Sequence, residues 1–302
     1  MKLGFSIENP ALIAKTDSEE KGILLANYNN LEEFLIYLKE CGIQSVEIRK
    51  LIRYADVKEY KDAIQLIWDL GMEITIHGDV TGDLPYSNFL EVYPSLEYIF
   101  TNFGKYQKNL VMPIHAYQTN AGENSTEDLS KQTVEELGRW VDLIEQEGIP
   151  LYLALENNRA KDQTVDPGNS VNGVIKMVDE INSHYLGICW DMGHYYSNLL
   201  KESNLKELPN RTIDHLPPRS FLEKVYHTHI HGLNHDGKTH FPLTSLESLP
   251  LENYITALKK KGYNNVYNLE LTFSRWNNQV PIASEIASTI KRLEKVTSLP
   301  LN

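Results

Sequence analysis

The sequence predicts a single (β/α)8 barrel. Short β-like runs alternate eight times with longer helical stretches, and most of these runs end in an ionisable side chain on the same strand face. No glycine-rich dinucleotide loop follows the first run, which disfavours a doubly wound open sheet. The eight runs are Lys2–Ser6, Ser45–Arg49, Glu73–His77, Asn109–His115, Leu151–Glu156, Leu186–Asp191, Val225–His231 and Val266–Leu271. Their starts are roughly 30 to 45 residues apart, room for a strand, a helix and two loops. Between them, Leu31–Cys41 carries apolar residues at Leu31, Phe34, Leu35 and Leu38, a helical spacing. Val57–Leu70, Ser125–Glu147, Ser170–Ile181, Leu251–Lys261 and Ile282–Leu293 read as helices in the same way. Gly42, Gly71, Gly148 and Gly262 follow helical stretches as C-terminal caps. Ser125 with Asp128 three residues on forms an N-terminal cap. Lys259, Lys260 and Lys261 close a helix, where they complement its dipole. Repeated strand–helix alternation means parallel strands joined by helical crossovers. One TIM-barrel domain over 1–302 is expected, with a Pro-containing insertion around 207–218 between the sixth and seventh strands.

The chain has 302 residues, 41% hydrophobic and 23% charged, enough to bury a substantial core. It has no apolar run near the ~20 residues that cross a membrane, and its first residues lack a secretory leader's apolar stretch. Cys41 and Cys189 are too far apart for a metal or redox motif. A cytoplasmic location is expected. The net charge of −12 argues against coating nucleic acid through a broad basic surface. It leaves room for a nuclease that grips phosphate locally.

Strand side chains alternate between faces. The fifth strand sets Leu151, Leu153 and Leu155 against Tyr152, Ala154 and Glu156; the sixth sets Leu186, Ile188 and Trp190 against Gly187, Cys189 and Asp191. The eighth sets Tyr267, Leu269 and Leu271 against Asn268 and Glu270. The bulky set packs outward on helices; the other points into the barrel. Glu47, Arg49, His77, His115, His227, His229 and His231 join the inward set. Such groups are costly to bury unless paired or bound to metal. At the C-terminal face of a barrel they define a site. Glu156, Asp191, His229 and Glu270 come from four adjoining strands, a mixed carboxylate and imidazole set suited to Zn, Mn or Co.

The fragments Ile76-His77-Gly78, Ile114-His115, Leu155-Glu156-Asn157, Cys189-Trp190-Asp191-Met192-Gly193-His194, His229-Ile230-His231-Gly232 and Leu269-Glu270-Leu271 occur in this order. Together they resemble the xylose-isomerase-like barrel superfamily, which includes sugar isomerases, epimerases and the endonuclease IV group of apurinic-site nucleases. The resemblance covers most of the chain and is not specific for the reaction. It implies a one-metal site of Glu156, Asp191, His229 and Glu270. In the nuclease group, histidines matching His77 and His115 share the glutamate matching Glu156 around another zinc. His194 and His240 match two ligands of a third zinc. Lys238 stands where that site has an aspartate, which argues against a complete three-metal centre.

Three readings follow. The first is a sugar or sugar phosphate isomerase or epimerase with one divalent ion, or two. In it Glu156 and Glu270 exchange the proton, while His194, Arg49, Lys238 and His231 bind substrate. The second is a metal-dependent phosphodiester hydrolase. The third is another metal-dependent polyol enzyme such as a dehydratase. His227 reads as a packed barrel histidine, His231 and His235 as pocket or loop residues, and Asp162 as a reach towards a sugar hydroxyl. The resemblance implies a small sugar-like substrate and a homo-oligomer, as is common in that family; with no long apolar run, no membrane partner is expected.

Overall fold

The computed structural model describes residues 2–8, 18–49, 57–78, 97–203, 215–243, 249–277 and 281–300. Eight parallel strands, β1 (Lys2–Glu8), β2 (Ser45–Arg49), β3 (Glu73–Ile76), β4 (Leu110–Ile114), β5 (Leu151–Glu156), β6 (Leu186–Asp191), β7 (Val225–Ile230) and β8 (Val266–Leu269), run in the order β3-β2-β1-β8-β7-β6-β5-β4. The helices are α1 (Glu19–Asn27), α2 (Leu31–Glu40), α3 (Val57–Asp69), α4 (Thr126–Glu147), α5 (Val171–Ile181), α6 (Met192–Glu202), α7 (Arg219–Leu222), α8 (Leu251–Lys260) and α9 (Ile282–Ser298). Residues 97–102 are also helical. All eight expected strands are present. The six expected helices are present too, and α1, α6 and α7 are additional. Of the insertion expected around 207–218, residues 207–214 lie outside the described residues; 215–218 lead directly into α7.

The caps explain several helix ends. Ser125 and Asp128 form a reciprocal capping box at the start of α4, and Gly148 ends it in the left-handed conformation (φ 61°). Asp191 is both the last residue of β6 and the N-cap of α6, accepting from His194 N at 2.6 Å. This cap turns strand into helix without a loop, so the sequence gives no break by which to see α6 start.

Leu153, Leu155, Ile188, Trp190 and Leu269 lie in the main core between strands and helices. Val111, Ala154 and Cys189 form a separate buried cluster inside the barrel, with Tyr152 and Tyr226 against it. The alternation read from sequence therefore separates the two compartments. One irregularity resets it: Ile188 pairs with Val225 but Cys189 pairs with His227, leaving Tyr226 as the extra residue of a bulge. A Cβ on Gly187 would fall 2.3 Å from the Tyr226 ring, so glycine leaves the space this ring fills.

β3 and β4 share no strand ladder. Gly78 N donates to Pro113 O at 2.8 Å. Below that point the buried Gln107 side chain supplies the missing pairing. Its Oε1 accepts from Ile74 N at 2.7 Å, and its Nε2 donates to Ile74 O and Asn109 O, each at 2.8 Å. Gln107→Ala would strip both Ile74 groups of these partners. A loss of at least about 2 kcal/mol is expected in urea unfolding; an unchanged midpoint and slope would show that the seam does not depend on this amide.

Candidate functional site

His77, His115, His231 and Glu270 sit one residue past their strands. The ladder still holds two of them: His77 N donates to Ile48 O at 2.9 Å and Glu270 N to Ile230 O at 3.0 Å. Asn157, one residue past β5, makes a two-way amide clamp on β6. It donates to Asp191 O and accepts from Asp191 N, both at 2.9 Å. The clamp fixes the backbone of Asp191 beside Glu156.

Glu156, Asp191, His229 and Glu270 converge, with one ligand atom from each lying within 4.8 Å of the others. All four are buried. Glu156 Oε2 lies 3.1 Å from both His77 Nε2 and His115 Nε2. Arg49 donates to Glu270 Oε1 at 2.9 Å and to Leu271 O at 3.0 Å. Burial would push the Glu156 carboxyl up, but His229 and His115 outweigh it and hold it well below the usual range. Burial of Glu270 is likewise outweighed by His229, His240 and Arg49, which keep it ionised. Glu156 Oε1, Glu270 Oε2 and His229 Nδ1 are buried without a hydrogen-bond partner. Two unpartnered carboxylate oxygens beside an imidazole that would give up its proton to an incoming ion fit a divalent cation. Burial pushes the nearby Cys189 thiol well above its ordinary value, which makes it a poor ligand.

His229 owes its orientation to Glu47. Its Nε2 lies 3.0 Å from Glu47 Oε1, which leaves Nδ1 facing Glu156 and Glu270 at 3.2 and 3.4 Å. Glu47 is fully buried and also accepts from Ser6 Oγ at 2.6 Å and Asn268 Nδ2 at 3.0 Å, with His227 Nε2 at 2.9 Å. The sequence marked Glu47 as inward but gave it no task. Its partners come from β1, β7 and β8, and only the folded barrel brings them together.

Two further clusters lie alongside: His77, His115 and Glu156, and His194, His231 and His240. His194 Nε2 is 3.2 Å from His240 Nε2, and both residues line the cavity above the carboxylates. His231 does not touch that cavity. It is fully buried behind Asp191, with Nε2 3.1 Å from Asp191 Oδ1, and its Nδ1 accepts from His240 N at 3.0 Å. Its expected substrate contact is therefore replaced by support of a candidate ligand. Gly193 makes room for it: a Cβ there would fall 2.0 Å from the imidazole. Asp162 is 89% exposed and paired with Lys201 at 2.6 Å, turned away from the centre. Arg49 lines the cavity but is held by Glu270. Lys238 lines a separate outer cavity with Asn234 and His235.

Parallel strands carrying a buried carboxylate–imidazole centre at their C-terminal ends define a barrel with a candidate metal site. The chain belongs to the xylose isomerase-like TIM barrel family, whose model matches residues 35–295. Its structure is similar to D-psicose 3-epimerase from Clostridium cellulolyticum H10, with TM-score 0.67, 12% identity, and 99% of this chain and 100% of that one covered. It is similar to a D-tagatose 3-epimerase-like protein, with TM-score 0.63, 18% identity and 98% of each chain covered. It is also similar to the 3-keto-D-glucoside 4-epimerase of E. coli, with TM-score 0.63, 16% identity, and 97% of this chain and 100% of that one covered. At these identities the likeness shows a shared fold. An uncharacterised Methanocaldococcus jannaschii protein is 38% identical over 81 residues, covering 26% of this chain and 29% of that protein. The chain thus spans less than a third of this curated relative. No described helix is long and apolar enough to cross a membrane.

The Glu47 contact carries a test. In Glu47→Gln the amide can no longer act as an anionic acceptor for His229. Affinity for Mn or Co, measured by competition with a fluorescent chelator, should fall about 10- to 100-fold with the fold retained. Parent-like affinity would leave Glu47 a packing residue only.

Proposed function

We propose that this protein is a divalent-metal-dependent isomerase or epimerase of a sugar or sugar phosphate, working by proton transfer next to a carbonyl. The observation that carries the reading is the convergence of Glu156, Asp191, His229 and Glu270, of which Glu156 and Glu270 line a small cavity of ≈ 280 Å³. Glu156, Asp191, His229 and Glu270 would hold the ion. When bound, it would polarise a carbonyl oxygen and stabilise the negative charge that develops on adjacent oxygens. Glu156 and Glu270 reach the cavity from different strands and are held ionised by their neighbours. One removes the proton and the other returns it, which inverts or relocates the centre. His194, at the cavity wall, donates to a substrate oxygen. The sugar epimerases of the same fold support this choice of substrate class.

A second reading, metal-assisted phosphodiester hydrolysis, draws on the two extra clusters, His77–His115–Glu156 and His194–His231–His240. Metal stoichiometry separates the two. Elemental analysis of protein purified without added metal should give one Mn, Co or Zn per chain. Two or three zinc ions, with cleavage of abasic DNA, would establish the hydrolase instead.

The reaction itself is tested on ketose and ketose-phosphate panels in D2O. Epimerisation with deuterium incorporation is expected, abolished by chelation and restored by Mn or Co. Glu156→Gln should lower kcat by about 10²- to 10⁴-fold. Turnover by chelated protein, or by Glu156→Gln at the parent rate, would sink the mechanism.

A further inference from the structure

The mouth of the cavity differs in charge from the rest of this acidic chain. Arg159, Lys161 and Arg275 line the same cavity as Glu156 and Glu270. Arg159 and Arg275 also line the adjoining outer cavity of ≈ 530 Å³, together with Lys238. The two guanidiniums therefore stand where the reactive cavity opens into the outer one.

Both are held in place through their loops. Asn198 grips the backbone on either side of Arg159: its Nδ2 donates to Asn158 O at 2.9 Å, and its Oδ1 accepts from Ala160 N at 2.8 Å. The Arg159 side chain makes no hydrogen bond or ion pair among the described residues. Arg275 closes a 3-10 turn, Phe273–Arg275, that the buried Glu20 fixes by accepting from Phe273 N at 3.0 Å and Ser274 N at 2.9 Å. Its guanidinium donates to Thr239 O at 2.6 Å, a neutral partner. Burial and the charge of Arg159 both push the Arg275 guanidinium below its ordinary value. Of the carboxylates that line the two cavities, Glu270 pairs with Arg49, Glu156 faces His77 and His115, and Asp236 lies beside His235, with Glu8 also on the inner wall; Asp162 pairs with Lys201.

Two guanidiniums on fixed backbone, repelling one another at a cavity mouth, incur a cost that a bound anion would relieve. Placing flexible lysines around them adds attraction at longer range. We propose that Arg159 and Arg275, flanked by Lys161 and Lys238, form an oxyanion-binding subsite that takes the phosphate or carboxylate end of the substrate while its carbonyl end reaches Glu156 and Glu270. This inference rests on the proposed isomerase reading and narrows its substrate to an anionic sugar derivative. It gives Lys238 a task at a distance from the carboxylate centre. It also fits a site whose expected hydroxyl-binding carboxylate, Asp162, faces solvent.

The test uses full-length, chelated protein, so that phosphate cannot bind through a metal ion. Inorganic phosphate is titrated calorimetrically at constant ionic strength into the parent, Arg159→Gln and Arg159→Gln/Arg275→Gln. Arg159→Gln removes no hydrogen bond or ion pair to the described residues and should fold normally, which a thermal melt checks. Phosphate should bind the parent and weaken at least about tenfold in Arg159→Gln, the weight of one charge-assisted hydrogen bond. The double variant should bind more weakly still. No binding by the parent at millimolar phosphate, or equal binding by parent and Arg159→Gln, would overturn the subsite. A parallel titration with acetate distinguishes the two sources of the oxyanion. Tighter phosphate points to a sugar phosphate and tighter acetate to a sugar acid, and either result requires the same dependence on Arg159. Binding needs no turnover. Arginine-dependent phosphate binding without epimerisation would therefore reject the isomerase reading and keep the subsite; epimerisation with no such binding would do the reverse.

Discussion

The buried carboxylate of Glu47 is the constraint around which the barrel interior is arranged. A charge with no access to water must be matched locally. Here Ser6, Asn268, His227 and His229 meet it from three other strands. Burial raises the cost of its ionisation, and His229 and His227 more than offset it. Satisfying Glu47 fixes one nitrogen of His229 and thereby aims the other. Everything above that layer inherits the choice: Glu156 and Glu270 face His229 Nδ1, Arg49 holds the other oxygen of Glu270, and His77 and His115 meet the same Glu156 oxygen that faces His229. The interior is thus a stack, with an apolar floor of Val111, Ala154 and Cys189, a polar layer at Glu47, and the lone-pair donors at the top.

Much of this was legible from the chain. Period-two alternation gave the strands and their faces because one side packs on helices and the other does not, and β2, β5 and β6 begin and end where the pattern says. Glu156, Asp191, His229 and Glu270 were legible as a group for the same reason. Elements without a period or a break were not. α6 starts on the capping carboxylate of Asp191 itself, and α7 is a single turn. Side chains whose meaning lies in a distant partner were equally silent. His231 looks like a pocket residue on β7 until Gly193 and Asp191 are seen beside it. Asp162 looks like a sugar ligand until Lys201 takes it.

Carboxamide side chains recur wherever the regular ladder fails. Gln107 bridges β3 to β4, Asn157 ties β5 to β6, and Asn198 grips the loop beyond β5. Each sets an N–H donor group and a carbonyl acceptor in one plane, as a peptide group does, with a second N–H besides. Gln107 does this low in the barrel, between the starts of β3 and β4, and Asn157 and Asn198 do it towards the mouth, so that the backbone can diverge without leaving buried polar groups unmatched.

The extra residue at Tyr226 separates two jobs that a regular strand would lock together. Beneath it the ring closes the floor over Gly187; beyond it the count restarts, and His227 and His229 face Glu47. Without that offset, a residue chosen to plug the barrel would dictate the parity of every side chain above it. With it, the two ends of β7 are free to vary on separate schedules. The plug can change size with the barrel's girth while the imidazoles keep their aim.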